Sequence, residues 1–187
     1  MNNNDRRVRK TKKALREAIA KLLIEKDLRN ITVKELTDTA DVHRATFYAH
    51  YQDVYDLYEQ IEDGVVKGLN AIVVSDPTHS YEGLYISLIN FVYENAILCK
   101  MFMNDNSSKN FLNRIRKLLE ENYLKIWLYE DGKSEVSEEM RYFTVYHIQG
   151  CLSIITLWVM SGFTYPKENV MTLLRTLNDH IEKIMPA

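Results

Sequence analysis

The sequence predicts an all-α fold of about nine helices, and three observations support this. Glycine and proline are scarce, with six and three among 187 residues. Apolar residues recur at helical spacing almost to the C-terminal end. Hydrophobic side chains make up 46% and charged side chains 27% of the chain, the composition of a globular protein that buries a core. The two cysteines lie in apolar helical patterns without CxxC spacing, which predicts buried thiols and neither a disulfide nor a zinc site.

Charge is divided unevenly along the chain. Residues 1–50 contain 12 Lys and Arg against 7 Asp and Glu, whereas residues 51–187 contain 12 against 19. A basic end on an acidic body concentrates positive potential where a polyanion can dock, although a solvated helix face would carry the same charges. The N-terminus lacks an apolar leader, and the apolar run 148–160 is too short and too interrupted to span a bilayer. We therefore expect a cytoplasmic protein with no membrane partner.

The first three helices are expected to form a compact unit. The first is predicted over residues 6–26, with basic side chains on its polar face. The second opens at Thr32, where a capping box is expected: the Thr32 hydroxyl accepts from the Glu35 amide and the Glu35 carboxylate reaches back. It ends near Asp41, and a third short helix begins at residue 43 or 44. Two short helices joined by a three- or four-residue turn form a helix-turn-helix unit.

The third helix has an apolar face and a face rich in hydrogen-bond donors. Phe47 and Val42 are expected to point inward. The expected outward side chains are His43, Arg44, Thr46, Tyr48 and His50. In a helix laid into the major groove, N-terminal residues reach base edges and nearby hydroxyls hold phosphates, and a guanidinium such as that of Arg44 can bind guanine through two hydrogen bonds. Packing against the next helix is the alternative for Tyr48 and His50.

The segment ITVKELTDTADVHRATFYAHY, residues 31–51, with LYEQI following, resembles the helix-turn-helix signature of the TetR (tetracycline-repressor) family. The resemblance covers about residues 8–60. It implies a DNA-binding domain over residues 1–52 and a helical dimerisation and effector-binding domain over residues 53–187, linked by helix four at about 53–74. Carried over by position, it implies phosphate contact for Thr32, base contact for Arg44 and Ala45, and phosphate or sugar contact for Thr46, Tyr48 and His50.

Two positions depart from the family pattern. Asp41 stands at the turn position that usually holds glycine, and aspartate tolerates a left-handed backbone less well than glycine does. Val54 stands where the family typically has a lysine that opens helix four against a DNA phosphate. The affinity for DNA is therefore expected to be lower, unless other cations replace the missing phosphate contact, namely Arg6, Arg7, Arg9 and Lys10. The amides near Gln52 and Asp53 offer another phosphate site, which the local carboxylates would oppose.

The remaining helices are predicted after the break SDPTHSYEG, where Ser80 is a candidate cap, and then at 98–104, 107–130, 134–162 and 167–185. The last two carry apolar seams, and Gly150 and Ser153 would let another backbone approach closely. They are expected to complete a four-helix bundle with a second copy, unless both seams are covered within the monomer. The expected interface residues are Ile154, Leu157, Trp158, Val170, Leu173, Leu174, Leu177 and Ile181. The C-terminal segment also resembles the branch of the TetR family that includes regulators of dihydroxyacetone kinase genes.

Aromatic side chains of the middle helices are candidates for an effector pocket, with ordinary core packing as the alternative. The candidates are Tyr85, Phe102, Tyr123, Trp127, Tyr146 and His147. The sequence contains no GxSxG elbow, Gly-rich phosphate loop, HExxH helix or metal-ligand spacing, so no enzyme activity, metal or cofactor is expected.

The sequence thus predicts a homodimeric regulator of the TetR type. It would bind a palindromic operator in double-stranded DNA and act as a repressor that a small-molecule effector releases. The alternatives are an activator, a regulator controlled by a protein partner, and a module whose N-terminal helices bind protein. Because DNA binding releases counterions, a steep dependence on salt would separate DNA binding from the last of these.

Overall fold

The structure is a computed structural model that describes residues 3–75, 81–104, 109–130, 132 and 134–182. Within these ranges the chain forms nine α-helices, one short 3₁₀ helix and no strand, which confirms the all-α prediction. The helices are α1 Asn3–Glu25, α2 Val33–Ala40, α3 Arg44–Tyr48, α4 Val54–Ser75, α5 Tyr81–Glu94, α6 Ala96–Asn104, α7 Lys109–Glu130, α8 Glu138–Met160 and α9 Lys167–Glu182, with the 3₁₀ helix at Leu28–Asn30.

The start of α8 differs from the prediction by four residues, because Ser137 rather than Ser134 caps the helix. The Ser137 hydroxyl accepts a hydrogen bond from the Met140 amide at 3.1 Å. Glu138 and Glu139 follow in the first turn, where the helix dipole favours negative charge. The candidate cap at Ser80 and the predicted residues of the last helix beyond 182 lie outside the described residues.

Helix α4 contacts α1, α5 and α7, and it follows the N-terminal three helices in the chain. α1 lies against α2 and α6, α7 lies against α4 and α8, and α9 lies against α5 and α8. Arg114 of α7 binds Glu62 and Asp63 of α4 through its two terminal nitrogens, each at 2.7 Å. One continuous core extends from Leu15 in α1 to Leu174 in α9. Helix α4 buries Val54, Leu57, Ile61, Val65 and Leu69, which recur at helical spacing on one side.

Among the described helices, α8 is by length and composition alone apolar enough to cross a membrane, and α5 with α6 would qualify as a pair despite a bend of 88° between them. The uncharged stretch of α8 runs from Tyr142 to Met160 and is longer than the apolar run identified in the sequence. Buried residues nevertheless recur along one side of α8 from Met140 to Val159. That pattern is typical of a core helix in a folded domain.

Candidate nucleic-acid interface

The second helix is capped as predicted, but only one half of the capping box forms. The Thr32 hydroxyl accepts from the Glu35 amide at 3.2 Å. The Glu35 carboxylate pairs instead with Lys26, whose Nζ lies 2.5 Å away. This ion pair ties the end of α1 to the first turn of α2, so it fixes the angle at which α2 leaves α1.

The turn between α2 and α3 uses aspartate in a left-handed conformation. Asp41 has φ 53° and ψ 48°, in the region that glycine adopts most easily. The Val42 amide donates to the Thr37 carbonyl at 3.0 Å, which closes the end of α2. The turn therefore forms without glycine. A non-glycine residue at positive φ costs about 1 kcal/mol or more, and aspartate pays less of this than most residues.

Helix α3 separates a buried face from an exposed one. Phe47 is fully buried and packs edge-on against the ring of Tyr48 at 5.4 Å between centroids. Tyr48 itself is 58% exposed. His43, Arg44 and Ala45 are exposed, whereas Thr46 and His50 are half-buried. The structure therefore brings the predicted donors to one short surface that begins at the first residue of the helix.

Basic residues near the N-terminal end of α1 are exposed as well. Arg6, Arg7, Arg9 and Lys10 are all exposed. Further along the helix, Lys12 lies 6.0 Å from the centroid of the Tyr51 ring, which connects α1 to the chain that leaves α3. The N-terminal unit thus carries a group of exposed cations on α1 and the exposed guanidinium of Arg44 at the start of α3.

The start of α4 is closed by its own carboxylates. Asp53 Oδ1 accepts from the Asp56 amide, and Asp56 Oδ2 accepts from the Gln52 amide, both at 2.8 Å. The backbone hydrogen bond from Gln52, and then the Gln60 side chain, hold the pKa of Asp56 below its usual value. The amide of Gln52, predicted as a phosphate site, is therefore already occupied. Val54 is 4% exposed and packs inward.

A second exposed surface lies on α8 and is uncharged. Its exposed residues are Tyr142, Val145, Tyr146, Gln149, Ser153, Leu157 and Met160, at helical spacing. A Cβ built on Gly150 would meet nothing within 4 Å, so space above this glycine is open. A groove of about 490 Å³ lies beside this face, between α7 and α8. Sequence reasoning missed Tyr142, Val145 and Met160, although the absence of charge from 142 to 160 marked them.

The residues predicted for a dimer interface divide into two groups. Leu157 is 72% exposed, Leu173 and Leu177 are also exposed, and Ile154 is half-buried. Trp158, Val170 and Leu174 are buried within the protomer. The Trp158 indole donates to the Tyr165 carbonyl at 2.7 Å, which secures it in the core. The side chain of Ile181 lies outside the described residues.

The residues predicted for an effector pocket lie in different surroundings. Phe102, Tyr123, Trp127 and His147 are buried in the core, and Tyr146 is exposed on the outer face of α8. The rings of Tyr123 and His147 lie 4.9 Å apart. The Tyr85 hydroxyl is hydrogen-bonded to His147 Nε2, and burial lowers the pKa of His147 to about 4. Of the six, Tyr85 borders a cleft, between α5 and α9.

Comparisons with known proteins agree with this architecture. A family model described as "Transcriptional regulator C-terminal region" (TetR_C_8) matches residues 80–180, more than half of the chain. Over 109 residues the chain is 24% identical to an uncharacterized HTH-type transcriptional regulator, YxbF, of Bacillus subtilis strain 168. That match includes 54% of this chain and 28% of the relative, so the chain spans less than a third of the relative's length.

Solved structures of similar fold cover almost the whole chain. The dihydroxyacetone kinase operon activator DhaS has a TM-score of 0.65 and 20% identity, covering 95% of this chain and 98% of its own. A TetR transcriptional regulator from Streptococcus agalactiae 2603V has a TM-score of 0.62 and 22% identity, covering 93% and 96%. At these identities the likeness shows a shared fold. Together with the family model, it confirms the predicted resemblance: the chain belongs to the TetR family of transcriptional regulators.

Proposed function

We propose that the protein is a homodimeric, sequence-specific DNA-binding regulator that reads its operator with α3. The observation that carries this proposal is the exposed outer side of α3, which presents Arg44 and Tyr48, with His43 just before the helix, behind a capped α2 and a tight turn. Arg44 is assigned to a base edge, because its guanidinium can make two hydrogen bonds to guanine. His43 and Ala45 lie beside it on the groove side.

Phosphate contacts are assigned to the groups that flank α3. Thr32, at the start of α2, and Tyr48, on α3, are both exposed. Thr46 and His50 are half-buried and still reach the surface. Cations from α1 are supplied by Arg6, Arg7, Arg9 and Lys10. No phosphate contact is assigned to the start of α4, because the Asp53 and Asp56 carboxylates accept the amide hydrogen bonds there. Such contacts fix the register on the duplex without selecting sequence.

Dimerisation is assigned to the outer faces of α8 and α9. The exposed, uncharged face of α8 needs a cover, and a second copy of the same face is the simplest self-complementary solution. The interface then contains Ile154, Leu157, Leu173 and Leu177, and Trp158, Val170 and Leu174 are removed from it because they are buried within one protomer. A two-fold dimer would set two α3 helices roughly 34 to 36 Å apart, one helical turn of DNA.

Regulation is assigned to the helical body, with repression released by a small-molecule effector as the first candidate. The effector must favour one arrangement of the two α3 helices over the other, since a ligand with equal affinity for both changes nothing. The structural similarity to DhaS, named as an operon activator, supports activation as the second candidate.

Genomic selection followed by a salt titration tests the proposal. Fragments of host DNA retained by the purified protein would be cloned. Their affinity for the protein would be measured by fluorescence anisotropy between about 50 and 300 mM salt, because counterion release changes affinity strongly in this range. We expect a shared palindromic sequence and a logarithmic loss of affinity with salt. A folded protein that retains no fragment, or whose binding is indifferent to salt, would overturn the proposal.

A further inference from the structure

The cleft between α5 and α9 is small and mixed in character. It encloses about 230 Å³ and is lined by Tyr85, Ile86, Glu168, Met171, Thr172 and Arg175. Sites for drug-sized ligands enclose roughly 300 to 1,000 Å³. The cleft therefore suits a compact metabolite with few polar groups.

The lining of the cleft combines a carboxylate and a guanidinium with two apolar side chains. Glu168 and Arg175 are seven residues apart on α9, which separates them by about 10 Å along the helix axis. Ile86 and Met171 supply apolar contact between them. An arginine fork binds a carboxylate through two parallel hydrogen bonds. The Glu168 carboxylate disfavours a second negative charge and accepts from a hydroxyl or an ammonium group.

The wall of the cleft is connected to the helices assigned to dimerisation. Tyr85 is largely buried, and its hydroxyl is hydrogen-bonded to His147 of α8. The same hydroxyl lies 3.4 Å from Oδ1 of Asn178 on α9, itself buried. Lys167, at the start of α9, donates to Asn90 of α5 at 3.1 Å. A molecule that presses on Tyr85 therefore acts on a hydrogen-bond network shared by α5, α8 and α9.

We propose that the α5–α9 cleft is an effector site for a small monocarboxylate that has an apolar middle and a hydroxyl or amino group at its far end. Arg175 binds the carboxylate, Glu168 binds the distal polar group, and Tyr85 transmits occupancy to α8 through His147. This inference rests on the proposed function only in calling the ligand an effector. Binding itself can be measured without DNA.

Methionine-methyl NMR tests occupancy directly. The chain has seven methionines, and Met171 is the one of them that lines the described cleft. The probes are 4-hydroxyphenylacetate and 5-aminopentanoate, each beside its neutral amide, with the Met171 signal assigned from Met171→Leu. We expect both acids to shift the Met171 signal selectively, and the amides to bind about tenfold more weakly.

Two variants distinguish the roles of the residues. Arg175→Gln should lower the affinity of the acids about tenfold, whereas Arg141→Gln, an exposed arginine on α8 outside the cleft, should leave it unchanged. Tyr85→Phe, which keeps the ring and removes the hydroxyl that is bonded to His147, should remove the effect of bound ligand on DNA affinity. Circular dichroism confirms that each variant is folded. The proposal is overturned if neither acid shifts the Met171 signal, if acid and amide bind equally, or if Arg175→Gln binds the acids as tightly as the wild type does. Failure of the protein to bind DNA would instead count against the proposed function.

Discussion

The outer faces of α3 and α8 contrast in chemistry although both are exposed. Each helix buries an aromatic side chain on its inner side, Phe47 in α3 and Trp158 in α8. The outer side of α3 presents a guanidinium, an imidazole and a phenol, all of which donate hydrogen bonds. The outer side of α8 carries no charged residue between Tyr142 and Met160. The outer side of α3 is suited to contact with a polyanion, and the outer side of α8 is suited to contact with another apolar protein surface.

The largest expected effect comes from placing charge on the outer face of α8. Leu157→Asp should raise the dissociation constant of the dimer about 100-fold, because burying an unpaired carboxylate in an interface costs several kcal/mol. Folding of the protomer should be retained, since Leu157 is mostly exposed in the single chain. Sedimentation velocity at micromolar to nanomolar dilution measures the change. Val74→Asp, an exposed apolar position on α4, is the control, and equal dissociation of the two variants would contradict the assigned interface.

Removing the guanidinium from α3 should have the next largest effect. Arg44→Ala is expected to cost about 1 to 3 kcal/mol in operator binding and to relax preference at one base position. Tyr48→Phe removes a phosphate donor and should weaken all sequences similarly. Selection from randomised operators, followed by sequencing, measures both. Unchanged base preference in Arg44→Ala would remove Arg44 from the base-reading role.

The buried histidine should make the stability of the helical body sensitive to acid. Burial lowers the pKa of His147 from 6.5 to about 4. The unfolded chain therefore takes up this proton at a higher pH than the folded chain does, and stability is lost as pH falls from about 6.5 towards 4. Between pH 7 and pH 5 the loss is about 2 kcal/mol.

Urea unfolding at the two pH values tests this expectation. His147→Gln should be less stable than the wild type at pH 7 but should lose much less on going to pH 5. His43→Gln, on the exposed face of α3, should keep the wild-type loss. If His147→Gln lost as much unfolding free energy between pH 7 and pH 5 as the wild type does, a group other than His147 would be responsible for the loss.

The smallest expected effects come from the two helix caps, which separate stability from DNA binding. Thr32→Ala and Ser137→Ala should each cost about 1 kcal/mol of unfolding free energy, because each removes a hydrogen bond to a first-turn amide. Thr32→Asp and Ser137→Asp should restore the caps. Thermal unfolding and anisotropy would be measured on all four variants. Only the Thr32→Asp carboxylate should oppose a phosphate, so equal DNA affinity of both Asp variants would argue against the phosphate contact at Thr32.

Sequence reasoning succeeded on α3 for a physical reason. In a helix of five residues, Phe47 is the sole large side chain without a polar group, which favours it over Tyr48 for the buried side. The capping hydroxyl of Thr32 and the left-handed Asp41 are local features that need no knowledge of distant residues. The donors of α3 could therefore be assigned to the surface one by one.

The same reasoning could not divide α8 and α9 correctly. Leu157 and Trp158 are neighbours of equal apolarity, and only the packing of α8 against the rest of the body decides which is buried. On α9, Leu173 is exposed and Leu174 is buried for the same reason. The α5–α9 cleft also brings together lining residues that are more than 80 positions apart in the chain, such as Tyr85 and Arg175. No local pattern encodes that proximity.

The central claim is that two α3 helices act together because α8 and α9 pair two copies of the chain. The most direct test is the slope of log affinity against log salt, measured on one selected operator with the wild type and with Leu157→Asp. The slope is proportional to the number of phosphates that the protein neutralises. We expect the monomeric variant to give about half the wild-type slope, and equal slopes from a variant confirmed as monomeric would contradict the claim.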